Sequence, residues 1–166
     1  GPLSEGQIRS TGIEIVGDRQ TPKSVVFTDR CEWIRANAPT PCSDVRRFSF
    51  AVWDERVRIL DVSVRLTAAI DLEIQRAKHS FFAMRAAADI SPSYGGTLVN
   101  SSGSEGAKGT YGKVADWCGY FGRRRLRPDV TEGIVIMNHP DNFGGNCPWF
   151  TRDYGHLSPS PFNFLE

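Results

Sequence analysis

Strict alternation of apolar and polar residues over residues 57–68 constrains this chain more than any other feature. A period of two places successive side chains on opposite faces of a β-strand. In VRILDVSVRLTA, the apolar residues of one parity are Leu60, Val62, Val64, Leu66 and Ala68. The stretch therefore predicts an antiparallel strand with one face over a core and the other face in water.

A second strand precedes this one and is predicted to form a hairpin with it. In FSFAVW, Phe48, Phe50 and Val52 share one face, and Asp54 and Glu55 make a short connection to the next strand. Short polar connections between period-two runs are typical of β-hairpins. Turn-forming residues separate further strand-like runs at residues 12–16, 24–34, 97–99, 113–122 and 132–138.

Residues 66–90 fit a helix or strands. Apolar residues recur there at near-helical spacing, and the alanines favour a helix. The run HSFFAMRA also fits a buried strand, and a helix would interrupt a chain that otherwise consists of strands. We therefore predict strands in this segment.

Length and composition are those of a single globular domain. The chain has 166 residues, of which 40% are hydrophobic and 23% are charged, which are ordinary values. Residues 1–4, GPLS, resemble the remnant of a cleaved tag and are set aside. We predict one all-β domain over residues 5–166, an antiparallel β-sandwich. Apolar residues near the C-terminus indicate that the tail packs on the body, or that a partner chain or a missing segment completes the fold.

Charge and hydropathy exclude two classes of partner. The net charge is +1, so the strong positive field that attracts nucleic acids is missing. No apolar run approaches the roughly 20 residues of a membrane-spanning helix, so we expect neither nucleic acid nor membrane as a partner. Residues 123–127 hold four arginines and fit a solvated turn or a phosphate-binding patch. The cellular compartment is left open.

The four cysteines do not form a recognisable framework. Cys31, Cys42, Cys118 and Cys147 lack the C-x-x-C spacing of zinc and redox sites. Cys118 lies within an apolar run and is predicted to be a small buried residue. Cys31 and Cys42 lie on neighbouring predicted strands, where they could be bridged in an exported protein or remain free thiols in a reducing compartment.

Residues 138–154 concentrate polar and aromatic groups in a loop that prolines and glycines stiffen. Its candidate site residues are His139, Asn142, Trp149, Arg152 and Asp153. Binding and catalytic residues occur disproportionately on loops that a scaffold holds in place. The loop is therefore either one wall of a site or a structural corner.

Each of these residues fits a functional and a structural role. His139 can act as a catalytic acid or base or bind a sugar hydroxyl, or it can bond the backbone of a turn. Trp149 can stack on a sugar ring, or it can cap the core. Arg152 can clamp a carboxylate, or it can anchor the loop through a salt bridge. Asn142 and Asp153 are assigned to substrate binding beside them.

His79 and Arg85 are a second pair of candidates. They lie six residues apart in KHSFFAMRA, so they share a strand face with their backbones some 20 Å apart. His79 is predicted as a second catalytic histidine, or else as a hairpin-end residue. Arg85 is predicted to bind substrate and to need an acidic partner such as Asp116 or Glu132. The histidines lack metal-ligand spacing, so we expect neither a metal nor a cofactor.

Five sequence blocks occur in an order that resembles a known family: HSFFAMRAA, GGTLVNSSGSEG, KVADWCGYFG, EGIVIMNHPDN and PWFTRDYGHLSPSPFNF. They are similar to blocks of soluble bacterial proteins labelled "methane oxygenase PmoA", over residues 57–166. The label implies no activity, because the methane monooxygenase subunit of that name is a membrane protein. The resemblance implies a β-sandwich of unestablished activity in carbohydrate metabolism, similar to the large sandwiches of galactose-mutarotase-like proteins.

The same resemblance implies that a catalytic site would be incomplete in this chain. Members of that family carry, before these blocks, a segment similar to His-His-Arg-Gly that has no counterpart here. Two functions therefore stay open. The chain is either a sugar-active enzyme whose site is walled by residues 138–154, with a small-molecule or glycan substrate, or a non-catalytic β module that binds a glycan or a partner chain.

Overall fold

The computed structural model describes residues 6–16, 24–78 and 82–164. The chain divides into two compact units, Gly1–Glu73 and Ile74–Glu166. Each unit is described by itself below. The assignment of one domain to residues 5–166 stays a prediction.

The first unit is a four-stranded antiparallel meander in the order β1-β2-β3-β4. The strand predicted from residues 57–68 is confirmed as β4, and it pairs with β3 so that Val62 lies opposite Phe48. Asp54 closes the connecting turn, because its carboxylate accepts the backbone N–H groups of Arg56 and Val57, each at 2.7 Å. The four strands are β1 (Gln7–Ile15), β2 (Ser24–Ile34), β3 (Cys42–Val52) and β4 (Arg58–Ala68).

Apolar side chains occupy part of one face of this sheet. Phe27 and Phe48 stack on it with ring centroids 4.8 Å apart, and the alternating residues of β4 lie on the same face. Leu60 and Val64 remain 58% and 55% exposed, although the alternation predicted a core over them. The apolar residues of β4 therefore share one face, as predicted. Within this unit, the single sheet layer does not bury that face.

A polar cluster lies on the same face of β2 and β3. Arg46 and the indole N–H of Trp33 both donate to the buried Asp44 carboxylate, at 2.8 and 2.7 Å. Burial by itself raises the pKa of Asp44, but these hydrogen bonds outweigh it and hold that pKa below its ordinary value. Of these hydrogen bonds, that of Trp33 joins β2 to β3 within the sheet, which indicates a structural role.

The second unit contains two three-stranded antiparallel sheets, in the orders β5-β10-β9 and β6-β7-β8. In the described part of this unit, the helical content is a five-residue helix, α1 (Gly106–Thr110), and two 3-10 turns, Ala88–Ile90 and Pro92–Tyr94. The strands are β5 (Met84–Arg85), β6 (Thr97–Asn100), β7 (Trp117–Arg124), β8 (Arg127–Met137), β9 (Trp149–Thr151) and β10 (His156–Pro159).

Side chains from both sheets fill one core. Leu98 and Tyr120 come from the β6-β7-β8 sheet, and Trp149 and Leu157 come from the other sheet; all four are fully buried. Two sheets that share one layer of inward side chains form a sandwich-like arrangement. The predicted all-β, antiparallel fold class is confirmed, whereas the likeness to galactose-mutarotase-like sandwiches stays a prediction.

The strand prediction for residues 66–90 is only partly right. Past the end of β4, Met84–Arg85 is a strand, residues 69–78 have no regular structure, and the described part of the segment contains no α-helix. The backbone N–H of Ala77 donates to the carbonyl of Phe162 at 3.2 Å, and Arg76 donates to the carbonyl of Asn163 at 3.1 Å. Hydrogen bonds to a distant part of the chain therefore hold this segment, in place of a local helix or strand.

All four cysteines are buried free thiols. Across β2 and β3, Cys31 lies opposite Asp44 and Cys42 lies opposite Trp33, so the two cysteines are not direct cross-strand neighbours. Cys118 is fully buried, as its apolar neighbours predicted.

Alkaline pH is expected to destabilise the second unit through two buried acids. Burial raises the pKa of the Cys118 thiol from 9.0 to about 12 and raises that of the Tyr120 hydroxyl above its ordinary 10.0. The unfolded chain loses these protons at lower pH than the folded chain, so the free energy of unfolding falls as pH rises from about 9 toward 12.

Denaturant titrations at a series of alkaline pH values measure this fall. In Cys118→Ala, the free energy of unfolding should fall less steeply with rising pH than in the wild type. This holds whatever stability the substitution costs at neutral pH. Equal slopes for the two proteins would contradict the assignment.

Candidate functional site

The hairpin between β9 and β10 turns on residues 152–155. The backbone N–H of Gly155 donates to the carbonyl of Arg152 at 3.1 Å, and Gly155 has a φ of +98°, in the left-handed region that favours glycine. From the core, the Tyr120 hydroxyl lies 2.7 Å from the Arg152 carbonyl oxygen and 2.8 Å from that of His156. The turn is therefore fixed from within the unit.

This hairpin brings Arg85 to the turn. In the antiparallel pair of β5 and β10, Arg85 lies opposite His156, and the backbone N–H of Ala86 donates to the carbonyl of Gly155 at 2.8 Å. Leu157 points into the core, so Arg85 and His156 share the outer face of the sheet. The Arg85 guanidinium lies 5.4 Å from the centre of the Tyr154 ring.

Arg152 packs on two aromatic rings that contact each other edge to face. Its guanidinium carbon is 4.1 Å from the centre of the Phe150 ring and 4.7 Å from that of Tyr111, distances at which a cation is attracted to the ring faces. Hydrogen bonds with Asn163 and then Arg152 lower the pKa of the Tyr111 hydroxyl. His156 also packs on Phe150, edge to face at 5.3 Å.

We call this surface the cationic–aromatic cluster. Its members share the outer face of the β5-β10-β9 sheet or pack against it, and they are Arg85, Tyr111, Phe150, Arg152, Tyr154 and His156.

The cluster carries positive charge that the described residues do not neutralise. Neither Arg85 nor Arg152 forms an ion pair with another described residue. Lys78 adds a further positive charge close enough to act on Tyr111. Guanidinium groups bind carboxylates in a planar, two-point geometry. The arrangement can therefore hold an anion beside aromatic rings.

Three of the predicted site residues meet at this hairpin. Arg85 and Arg152 belong to the cluster, and Asp153 lies in the turn between its strands. The Asp153 carboxylate accepts the backbone N–H of Ala107 at 2.7 Å, so it ties α1 to the turn.

The acidic partners predicted for Arg85 have other neighbours. Glu132 pairs with Arg124 at 3.6 Å and with Arg127 at 2.9 Å, because all three lie in or beside the β7–β8 hairpin. Arg85 stacks on Tyr154 instead. The partner prediction is wrong for Glu132, because β5 joins the other sheet.

Trp149 lies in the core. It is fully buried, and its indole N–H donates to the carbonyl of Ala115 at 2.7 Å. A buried ring presents no face on which a sugar could stack. This position corresponds to the core-capping alternative given above.

His139 and Asn142 are bound within their own loop. The His139 side chain is 69% exposed, and its Nδ1 accepts the backbone N–H of Asp141 at 3.2 Å. Asn142 donates to the side chain of Asn138 at 2.8 Å. His79 lies outside the described residues. The catalytic roles of the two histidines stay predictions.

Sequence reasoning missed most of the aromatic half of the cluster. Phe150, Tyr154 and His156 flank the charged pair Arg152 and Asp153 in PWFTRDYGH, a pattern that could have indicated a surface of mixed rings and charges. Tyr111 carries no such signal. It reaches the cluster because the next residue, Gly112, donates its backbone N–H to the carbonyl of Trp149 at 2.8 Å.

The described residues contain neither a cluster of metal-ligating side chains nor a membrane-spanning helix. Among the residues that the structure describes, no group of three or more His, Cys, Asp or Glu side chains could hold a metal ion. In the same part of the chain, no helix has the length and apolar character needed to cross a bilayer.

Comparison with known proteins identifies the family. No curated protein and no solved structure matches the chain. The assignment to the family labelled methane oxygenase PmoA is wrong, since the family model that matches is another, DUF6807, and no match to a PmoA family is shown. The match extends well upstream of residue 57, where the resemblance to the PmoA-labelled proteins was predicted to begin. Because it covers residues 2–165, the chain belongs to DUF6807, a family of unknown function.

Proposed function

We propose that this chain is a non-catalytic β domain that binds a carbohydrate carrying a carboxylate, through the cationic–aromatic cluster. The observation that carries the proposal is the Arg152 guanidinium packed on the adjoining rings of Phe150 and Tyr111, 4.1 and 4.7 Å from their centres. Aromatic packing fixes a flexible cation in one orientation, which reduces the entropy lost when it binds an anion.

A second cation–ring pair on the same face supports the proposal. Arg85 lies over Tyr154, and Tyr154 is 48% exposed, so part of the ring is accessible to a ligand. Sugar rings present C–H groups to aromatic faces and hydroxyls to polar donors, as in other largely apolar sites with a few placed polar groups. A uronic acid combines both features with a carboxylate for the guanidinium groups.

The two arginines of the cluster favour binding over catalysis. Arginine side chains donate hydrogen bonds but do not exchange protons during a reaction. A sugar-active enzyme would instead need His139 or another positioned acid or base, and His139 is largely exposed with its Nδ1 engaged in a turn. The enzyme remains the second candidate because His139 stays accessible.

Calorimetric titration with galacturonate and with galactose tests the proposal. We expect galacturonate to bind more tightly than galactose, and Arg85→Ala to weaken galacturonate binding about tenfold, as for an arginine at the centre of an interface. Arg85 is exposed, so this variant should keep its fold. Binding should also weaken as salt is added, because exposed charges are screened.

His139→Gln is the matched control. In a binding domain it leaves galacturonate affinity unchanged, whereas in the enzyme it abolishes turnover. Equal affinity for galactose and galacturonate, or a wild-type affinity in Arg85→Ala, would overturn the proposed function.

A further inference from the structure

An open groove of about 380 Å³ lies in the second unit, beside the β6-β7-β8 sheet. Thr97 pairs with Phe121, and Arg123 pairs with Thr131 across β7 and β8. Residues opposite each other, or two apart on a strand, share a face. These four residues line the groove. Their side chains lie on the face of the β6-β7-β8 sheet opposite to the face that carries the core residue Tyr120.

Tyr94 forms another wall of the groove. It ends the 3-10 turn Pro92–Tyr94 and is 70% exposed. The next residue, Gly95, has a φ of +90°, which turns the chain sharply into β6. The exposure of so large a ring at a groove wall leaves its face accessible to a ligand.

The groove has an available cation but little free negative charge. The Asp89 carboxylate at its edge accepts Arg124 Nε at 3.0 Å and the backbone N–H of Arg125 at 2.9 Å, which lowers the pKa of Asp89. Arg123 is exposed and forms no ion pair with any described residue. The groove therefore offers the rings of Tyr94 and Phe121, two threonine hydroxyls and one guanidinium.

The segment that forms the Tyr94 wall of the groove contacts the turn of the cationic–aromatic cluster. The backbone N–H of Ser93 donates to the carbonyl of Asp153 at 3.0 Å, which joins the segment carrying Tyr94 to the turn carrying Tyr154. From standard backbone dimensions, the Cα atoms of these two tyrosines lie no more than about 11 Å apart. A short run of linked sugar rings can span this distance.

We infer that the Tyr94 groove is a second subsite and that the ligand is an anionic oligosaccharide rather than a single sugar. The inference rests on the proposed function, which supplies the first subsite at Arg85 and Tyr154. One sugar ring stacks on Tyr94, the hydroxyls of Thr97 and Thr131 bond its hydroxyls, and Arg123 binds its carboxylate. Occupying two linked subsites raises affinity without any change at either one.

The test compares galacturonate with its linear oligomers by calorimetry. In the wild type, oligomers should bind at least about tenfold more tightly than the monomer. In Tyr94→Ala and Arg123→Ala, the monomer affinity should be unchanged and the gain with length should disappear. Arg125→Ala, in the same turn but outside the groove, is the matched control and should keep the gain.

The outcomes separate the two proposals. Monomer binding with no gain for oligomers, or a gain that survives in Tyr94→Ala and Arg123→Ala, overturns the inference alone. Suppose instead that the increase in affinity with oligomer length disappears in Tyr94→Ala but persists in Arg85→Ala. This result overturns the first subsite and keeps the groove as a binding site. If neither monomer nor oligomer binds, both proposals fall.

Discussion

Replacing Trp149 by alanine lowers the free energy of unfolding by about 3–5 kcal/mol, the range for truncating a buried tryptophan. Trp149 is fully buried between the two sheets of the second unit and belongs to the same core as Leu98, Tyr120 and Leu157. Removing the ring leaves a cavity, and it also leaves the Ala115 carbonyl without the indole N–H that lies 2.7 Å from it.

Urea denaturation followed by far-UV circular dichroism measures this loss. Trp149→Phe should lose less, because it refills most of the space but still removes the donor to Ala115. Trp53→Ala is the control, because Trp53 is 71% exposed and its loss should change stability by no more than about 0.5 kcal/mol. A loss below about 1 kcal/mol for Trp149→Ala would contradict the core position of the ring.

Replacing Gly96 by alanine should lower the free energy of unfolding by about 2–3 kcal/mol, as for an overpacked core. A Cβ atom on Gly96 would overlap the carbonyl group of Ile90 and lie 2.8 Å from its Cα. The obstacle is backbone of the turn Ala88–Ile90, which cannot move aside like a flexible side chain. The backbone N–H of Gly96 also donates to the carbonyl of Ser91 at 2.9 Å, so relief of the clash would disturb that bond.

Gly12→Ala is the matched control. A Cβ on Gly12 would have no neighbour within 4 Å, so this variant should differ from the wild type by no more than about 0.5 kcal/mol. Urea midpoints for the two variants are compared under identical conditions. If Gly96→Ala is as stable as Gly12→Ala, the close approach at Ile90 is absent in solution.

Strand positions could be predicted from the sequence because alternation is local. The period-two run at 57–68 became β4, and the hairpin with β3 followed from the Asp54 turn. Residues 69–78 could not be predicted in this way. The backbone N–H of Ala77 donates to Phe162 and the side chain of Arg76 donates to Asn163, and local propensity contains no information about such distant partners.

The candidate site shows the same division. The sequence identified Arg85 and Arg152 as possible ligand-binding cations, because charged residues in apolar or rigid segments are unusual. It could not indicate that both stack on rings, since Tyr111 and Arg152 are separated by 40 intervening residues. It also could not decide between the two roles of Trp149, because the same residue type serves as a core ring and as a binding platform.

By itself, the sequence determined that the chain forms antiparallel strands and which side chains share a strand face, because both depend on residues within a few positions of one another. Only the tertiary structure decided which faces are covered, on which rings Arg152 packs, and that Tyr94 lies near Tyr154. These features depend on packing and hydrogen bonds between residues far apart in the chain, where the burial of apolar surface outweighs local preference.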